Sequence, residues 1–512
     1  MQSPAQILSH AARTFGSKNA LVTATRTLTY SELDDLACAV ANGLIARGIR
    51  PGQTVSLYAQ SRWEWVVAYH GALKAGAVVN PVNVMLTPDE LDYVLADAGS
   101  AALFVGPEHA QVARELEARL PHLHTVVVFG DTPTTAPLVG FDAVLDEAAT
   151  PPDVEMADPA APCTIGYTSG TTGHPKGAVQ SHRAVLANCA LTATMHGRTQ
   201  EDVVVTALPA PHVYCTVVLN SIFLVGGTVV LMERFDAAAA LRLIEQHRAT
   251  MFEGVPAMYA MMLADPAVAA VDLSSLTRCT VGGQTLPVDT LKKWESASGA
   301  RLIELWGMTE LSGLGTTHAL HASPCAGSVG VSLPGVQVRI ADLDNSSSEA
   351  PLGTAGELMV RGPIVMIGYH NNPEATAETI EPDGWLHTGD IATIDDAGHV
   401  QIIDRRKDMI ITGGYNIYPA EIERVITEHP DVALVATGPV PDPVKGELAC
   451  AYIVRTPGST VTEDDIAEFA KARLAAYKRP RLIRFVDSLP TTSSGKIMRR
   501  KLISEFPQEA PA

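Results

Sequence analysis

Apolar and polar positions change period repeatedly along this chain. Between residues 31 and 47, Leu33, Leu36, Ala37, Val40, Ala41, Leu44 and Ile45 recur at helical spacing, which puts them on one face of a helix. Ser31 reads as its N-cap and Gly48 as its end. A strand pattern follows at 54–59, a helical stretch at 63–75 and a second strand at 77–82. The alternation continues through strand-like runs at 203–208, 228–232, 250–254, 278–281 and 301–305, with helical stretches between them. Strands alternating with helices predict parallel sheets covered by helices, the doubly wound α/β class. Residues 356–400 carry more Gly, Pro and short strand-like runs, which predicts a β-rich subdomain. After the charged run DRRKD at 404–408 comes a smaller α+β pattern. The expected organisation is a large N-terminal domain, 1–403, of doubly wound sheets plus the β-rich subdomain, and a smaller, mobile C-terminal domain, 404–512.

Length agrees with a division, because single cores stop growing near ~250–300 residues and this chain has 512. Its 46% hydrophobic and 18% charged residues describe a globular protein. The net charge of −19 argues against a non-specific nucleic-acid binder, since phosphate-backbone affinity needs surplus Lys and Arg. One local exception lies between Lys471 and Lys501, where ten Lys or Arg face the single acid Asp487. The seven cysteines show no C-x-x-C spacing and read as reduced core residues. No secretory leader is expected, and the longest apolar stretch, 217–232, is broken by Asn220, Ser221, Gly226 and Gly227 and too short for a span. A cytoplasmic protein without integral membrane association is expected.

The most informative segment is YTSGTTGHPKG at 167–177. Its three glycines let backbone N–H groups approach phosphate oxygens, its four Ser or Thr hydroxyls can donate to them, and Lys176 offsets their charge. It reads as a phosphate-binding loop. It is not a Walker A loop, because G-x-x-x-x-G-K-[ST] occurs nowhere: Gly495-Lys496 has Pro490 and Ile497 where that pattern needs glycine and Ser/Thr.

This loop resembles the signature loop of the adenylate-forming superfamily, which includes acyl-CoA synthetases, peptide-synthetase adenylation domains and beetle luciferases. Similar motifs follow in that family's order: LPAPHVY at 208–214, GGQT at 282–285, WGMTE at 306–310, GEL at 356–358, WLHTGD at 385–390, DRRKD at 404–408 with GGYN at 413–416, and PTTSSGK at 490–496. Together they span nearly the whole chain. The resemblance implies an ATP-dependent, AMP-forming acid:coenzyme A ligase that makes an acyl-adenylate and then its thioester, with ATP, Mg²⁺ and coenzyme A as cofactors.

Roles follow residue by residue from that resemblance. Thr168, Ser169, Gly170, Thr171, Thr172, Gly173 and Lys176 would cradle the phosphates of ATP. Glu310, with Thr172, would hold Mg²⁺, and Thr309 would donate to the α-phosphate. Gly283, Gln284, Thr285, Trp306, Gly307 and Met308 would line the nucleotide. Two of these places depart from the family, since many relatives carry Tyr at 306 and Ala-Pro at 284–285. Asp390 suits the paired ribose hydroxyls, with Arg405 near them. Lys496 would hold the acid's carboxylate against the α-phosphate. His212 would orient the acid. Val213, Val218, Val255, Met258, Gly282, Gly283, Gly307 and Leu314 would form a roomy apolar pocket for a fatty, aryl or polycyclic acid. Peptide-synthetase domains carry an aspartate near the LPAPHVY segment for the substrate's amino group, and PHVYC at 211–215 offers none, which argues against an amino acid.

For the second half-reaction the resemblance implies a swing of the C-terminal domain about Lys407. Gly413, Gly414 and Tyr415 would then admit pantetheine, and the basic stretch 471–484 would meet the 3′-phosphate of coenzyme A. The expected partners are the small-molecule acid, ATP and coenzyme A. A phosphopantetheinyl carrier protein as thiol acceptor is the alternative.

Overall fold

The structure of the protein is a computed structural model. It describes every residue except 132–133, 146–147, 153–157, 169–174, 285, 324, 326, 413–414, 492–496 and 507–512, and the backbone alone at 500 and 503. The fold is α/β, and the chain forms two compact units: Met1–Gln337 with Val360–Leu386, and Val338–Met359 with His387–Ala512. This division does not fall at the charged run. Residues 387–403, expected with the large domain, belong to the same compact unit as the C-terminal residues.

The larger unit contains two sheets. The nine-stranded sheet runs in the order Val331–Ser332, Gly313–Thr317, Arg301–Met308, Arg278–Val281, Met251–Gly254, Val203–Thr206, Thr228–Leu231, Asn19–Val22, Thr27–Thr29. Its strands from Arg301–Met308 to Asn19–Val22 are parallel, and antiparallel strands close both edges. Helices Ala237–Gln246, Pro256–Ala264 and Val288–Ser298 cover one face over a core in which Trp294 and Tyr259 meet edge-on at 5.0 Å. The eight-stranded sheet runs Gly368–Tyr369, Lys176–Ser181, Pro162–Thr168, Val78–Pro81, Thr54–Tyr58, Ser100–Val105, Thr125–Val128, Leu138–Gly140. Helix His182–Met195 touches strands of both sheets.

The expected first helix is present as Tyr30–Ala46, but its cap is Thr29, not Ser31. The Thr29 side chain accepts from the Glu32 N–H while the Glu32 carboxylate accepts from the Thr29 N–H, a reciprocal capping box that places the helix start before Ser31. The apolar stretch 217–232 divides at Gly226, whose φ of +81° ends helix Val213–Val225 before strand Thr228–Leu231. Among the described residues no helix is long and apolar enough to cross a membrane. All seven cysteines are unpaired, and every one except the half-buried Cys325 is buried.

In the smaller unit, Ile410–Thr412 pairs with Tyr415–Ile417 and Gly446–Arg455, and the last of these pairs with Val432–Asp442 and Leu482–Phe485. Helices Pro419–Thr427 and Glu463–Lys471 bury Ile422, Ile426 and Ile466 against this sheet. A four-stranded sheet of Gln337–Ala341, Gly356–Arg361, Leu386–Ile394 and Val400–Arg405 lies largely in the same unit.

Candidate active site

Neighbouring parallel strands of the nine-stranded sheet end where the candidate residues begin. Val203–Thr206 leads to His212, Met251–Gly254 to Val255, Arg278–Val281 to Gly282, Gly283 and Gln284, and Arg301–Met308 to Thr309 and Glu310. Ligands of open α/β sheets bind in this position, beyond the carboxyl ends of the strands.

The segment that carries Thr309 and Glu310 is tied down on several sides. It is a 3-10 turn, Thr309–Leu311, that leaves through Ser312 at φ +56° and Gly313 at φ +139°. Gln180 Nε2 donates to Thr309 O at 2.7 Å, and Met366 N donates to Glu310 O at 2.8 Å. The fully buried Asn188 side chain donates to Leu311 O at 2.9 Å and Leu314 O at 2.8 Å. Gly166, on the strand before the phosphate loop, lies so close that a Cβ there would collide with the Thr309 methyl; a Cβ at Gly307 would collide with Gly313 O. Glu310 is only 6% exposed, and the Tyr369 hydroxyl donates to its Oε1 at 2.9 Å. Lys176 Nζ stands 5.4 Å from the centre of the same Tyr369 ring.

His212 is exposed and caps helix Val213–Val225, its Nδ1 accepting from Tyr214 N at 3.2 Å. In the neutral ring this leaves the proton on Nε2. Behind it the Tyr214 hydroxyl meets Thr280 Oγ1 at 2.7 Å, Thr280 donates to Glu253 Oε2 at 2.8 Å, and Glu253 pairs with Arg198 at 2.8 Å with neither side chain exposed. Burial pushes the Tyr214 hydroxyl well above the usual phenol range, so it stays protonated. Of the apolar candidates, Val218, Val255 and Leu314 are buried, and Val213 and Met258 half-buried. Gly283 is exposed at φ +87°. The buried Trp306 ring lies against Gly315, where a Cβ would strike it.

In the smaller unit, Arg405 pairs with Asp390 at 2.6 Å, and Arg406 reaches Glu357 at 2.7 Å. Lys407 is exposed in the 3-10 turn Arg406–Asp408. Arg499 binds three carboxylates: Glu423 at 2.6 Å, and Asp404 and Asp408 at 3.2 Å. Burial pushes the Asp404 carboxyl up to about 6 despite this guanidinium. In the basic stretch, Lys471 pairs with Glu468 and Lys478 with Glu421, both at 2.7 Å. Tyr415, 59% exposed, faces the Tyr477 ring at 5.1 Å.

The model of the AMP-binding enzyme family matches residues 8–370, and that of the AMP-binding enzyme C-terminal domain matches residues 421–496. The chain belongs to the AMP-binding enzyme family. Within it the chain stands in the acyl-CoA synthetase branch. It is 38% identical over 482 residues to the feruloyl-CoA synthase of Amycolatopsis sp, covering 94% of each chain. To the 3-[(3aS,4S,7aS)-7a-methyl-1,5-dioxo-octahydro-1H-inden-4-yl]propanoyl:CoA ligase of Mycobacterium tuberculosis it is 35% identical over 498 residues, covering 94% of this chain and 95% of that one. A solved anthranilate CoA ligase in complex with anthranoyl-AMP superposes with a TM-score of 0.91 at 29% identity, covering 98% of this chain and 97% of that one.

The structure therefore brings together, in one compact unit of this AMP-binding enzyme, the candidates Lys176, Thr309 and Glu310, with Thr168 Oγ1 donating to Lys176 O at 3.5 Å. Asp390, Arg405, Lys407 and Tyr415 belong to the other unit. Ser169, Gly170, Thr171, Thr172, Gly173, Thr285, Gly413, Gly414 and Lys496 lie outside the described residues. Sequence reasoning missed Tyr369, Gln180 and Asn188. Gln180 shares a strand face with Lys176 at i+4, a readable signal. Nothing local marks Tyr369, whose partner Glu310 is 59 residues away in sequence.

Proposed function

We propose that this AMP-forming acid:CoA ligase acts on a hydrophobic acid, fatty, aryl or polycyclic, and that Mg²⁺ assists its first half-reaction. The observation that carries this reading is that the carboxylate of the buried Glu310, just after the parallel strand Arg301–Met308, and the Lys176 ammonium both approach the Tyr369 side chain. A hard divalent cation prefers oxygen ligands, and among the described residues Tyr369 engages one oxygen of the Glu310 carboxylate, so the residues fit Mg²⁺. When bound, the ion would offset the charge on the phosphates of ATP.

In the proposed first half-reaction a carboxylate oxygen of the acid attacks the α-phosphorus of ATP in line. The acyl–O–P bond forms as the bond to the β-phosphate oxygen breaks, and pyrophosphate leaves. Lys176 and the loop backbone would hold the β- and γ-phosphates, Thr309 would donate to the α-phosphate, and Lys496 would sit against the carboxylate and the α-phosphate. In the second half-reaction the thiol of coenzyme A, losing its proton, attacks the acyl carbon and AMP leaves. A turn about Lys407 would exchange Lys496 for the 413–415 segment, with the swing setting the order of the two steps. Asp390 and Arg405 would hold the ribose throughout.

Support for the acid class comes from the names of the similar ligases, which act on feruloyl, fused-ring propanoyl and anthranoyl groups, and from the apolar side chains around Val255 and Met258. The cytoplasm is the proposed setting, in keeping with unpaired cysteines. The test is pyrophosphate release with hydroxycinnamate, decanoate, a fused-ring propanoate and acetate, followed by thioester detection with coenzyme A and with a phosphopantetheinyl carrier. Turnover confined to acetate, or thioester found on the carrier alone, overturns the corresponding part of the reading.

A further inference from the structure

Two opposite charges stand close to one tyrosine. Glu310 is buried and its Oε1 accepts from the Tyr369 hydroxyl at 2.9 Å, while Lys176 Nζ lies 5.4 Å from the centre of the Tyr369 ring. That distance is within the range in which an aromatic quadrupole attracts an ammonium. Among the described residues no ion pair joins Lys176 to Glu310. A lysine and a buried carboxylate that approach the same side chain would be expected to close on each other, because their attraction grows as water is excluded. Such a closed pair would leave neither charge for a ligand.

Tyr369 is well placed to prevent it. Its strand pairs antiparallel with Lys176–Ser181, with Tyr369 opposite Ala178, and its backbone N–H donates to Thr376 Oγ1 at 2.8 Å. Gly368 reaches the necessary backbone at φ +157° with the Thr376 side chain directly against it. The ring is thus fixed from the strand behind it, and the hydroxyl fixes the Glu310 carboxylate from one side.

We propose that Tyr369 is a positioning residue for the adenylation site: its ring retains the Lys176 ammonium and its hydroxyl takes one oxygen of Glu310, so that cation and carboxylate stay separate, the first for phosphate and the second for Mg²⁺. This rests on the reading of Glu310 as the metal-holding carboxylate. Tyr369→Phe removes only the hydroxyl, whereas Tyr369→Leu removes the ring as well. The measurement is calorimetric titration of the full chain with ATP, once with Mg²⁺ and once with the metal chelated, beside thioester formation from synthetic acyl-AMP and coenzyme A.

Tyr369→Phe is expected to weaken ATP binding about tenfold or more with Mg²⁺ present, the loss of a hydrogen bond to a charged group, and to leave metal-free binding within about twofold. Tyr369→Leu is expected to lose metal-free affinity too, as Lys176 closes on Glu310. Thioester formation from supplied acyl-AMP should stay within about threefold in both, which also reports that the chain is folded. Unchanged affinity with Mg²⁺ in Tyr369→Phe, or equal losses with and without the metal, overturns the proposal. Glu310→Gln separates the two levels of inference. If it keeps the full metal dependence, the metal assignment fails; if it loses that dependence while Tyr369→Phe does not, only the role of Tyr369 fails.

Discussion

Arg405 and Asp390 stand directly across from each other on antiparallel strands, and the Arg405 Nε lies 2.6 Å from Asp390 Oδ1. The Asp390 side chain is 3% exposed and that of Arg405 33% exposed. The guanidinium thus offsets the burial of a carboxylate that would otherwise be costly to desolvate.

Asp390→Asn is expected to raise the KM for ATP about tenfold with a smaller change in kcat, since hydrogen bonds to a charged acceptor contribute ~1.5–3 kcal/mol. Arg405→Gln should instead lower the melting temperature as well, because it removes the guanidinium that pairs with a buried carboxylate. Steady-state kinetics with ATP varied, and a melt of each variant, check both; an unchanged KM in Asp390→Asn refutes the ribose assignment.

Lys496→Ala is expected to abolish pyrophosphate exchange with acid and ATP while leaving thioester formation from synthetic acyl-AMP largely intact. Lys407→Pro should do the reverse. The turn Arg406–Asp408 is a 3-10 helix, whose φ range proline shares, so the substitution suits the present conformation and opposes a different one. Parallel loss of both activities in both variants, with melting unchanged, sinks the alternation of the small domain.

The acid pocket is better probed at Val255 than at Gly283. A side chain at Gly283 is strained by φ +87° whatever space it meets, whereas its Cβ would stand 3.6 Å from Val255 Cγ1. Val255→Phe is expected to lower kcat/KM for hydroxycinnamate or decanoate about tenfold or more relative to acetate, by filling acyl space. Equal losses for large and small acids would remove Val255 from the pocket.

Glu304 is 8% exposed in strand Arg301–Met308, and burial pushes its carboxyl up to about 7 although the Gly327 N–H donates to it. A folded chain therefore holds this proton where an unfolded one, with a value near 4.5, has released it. Stability falls as pH rises between those values and the loss persists above them. Glu304→Gln should flatten this dependence and gain up to about 3 kcal/mol at pH 8, since each tenfold difference in proton affinity between folded and unfolded chains is worth ~1.36 kcal/mol. Urea unfolding of both proteins at pH 5 and pH 8 measures it; parallel curves would mean that the carboxylate is solvated.

Much of this architecture is legible in residue order, since period and punctuation act locally. The strand expected at 278–281 is Arg278–Val281, and that expected at 54–59 is Thr54–Tyr58. The Thr29 cap is legible too, as T-x-x-E, although Ser31 stands nearer the apolar run. Glu310 can be singled out because it ends a compact motif. Most of its support cannot: Gln180 at least shares a strand face with Lys176, but Tyr369 and Asn188 reach Glu310 or its turn through sheet pairing and long-range packing that no short window contains. The association of 387–403 with the C-terminal residues is obscured because the charged run looks like a boundary, whereas strand Leu386–Ile394 pairs across a short turn with Val400–Arg405 and nearly all of this hairpin lies in the unit that continues to the C-terminal residues.

The close approach of Gly166 to the Thr309 methyl, and of Gly307 to Gly313 O, bears on how this gene tolerates change. Neither glycine moves a proton. Yet even alanine at 307 must push aside the backbone just after the turn that presents Glu310, and alanine at 166 must displace the Thr309 methyl. These two positions are therefore constrained by space alone, whereas an exposed residue such as Val444, 87% accessible, meets no such constraint.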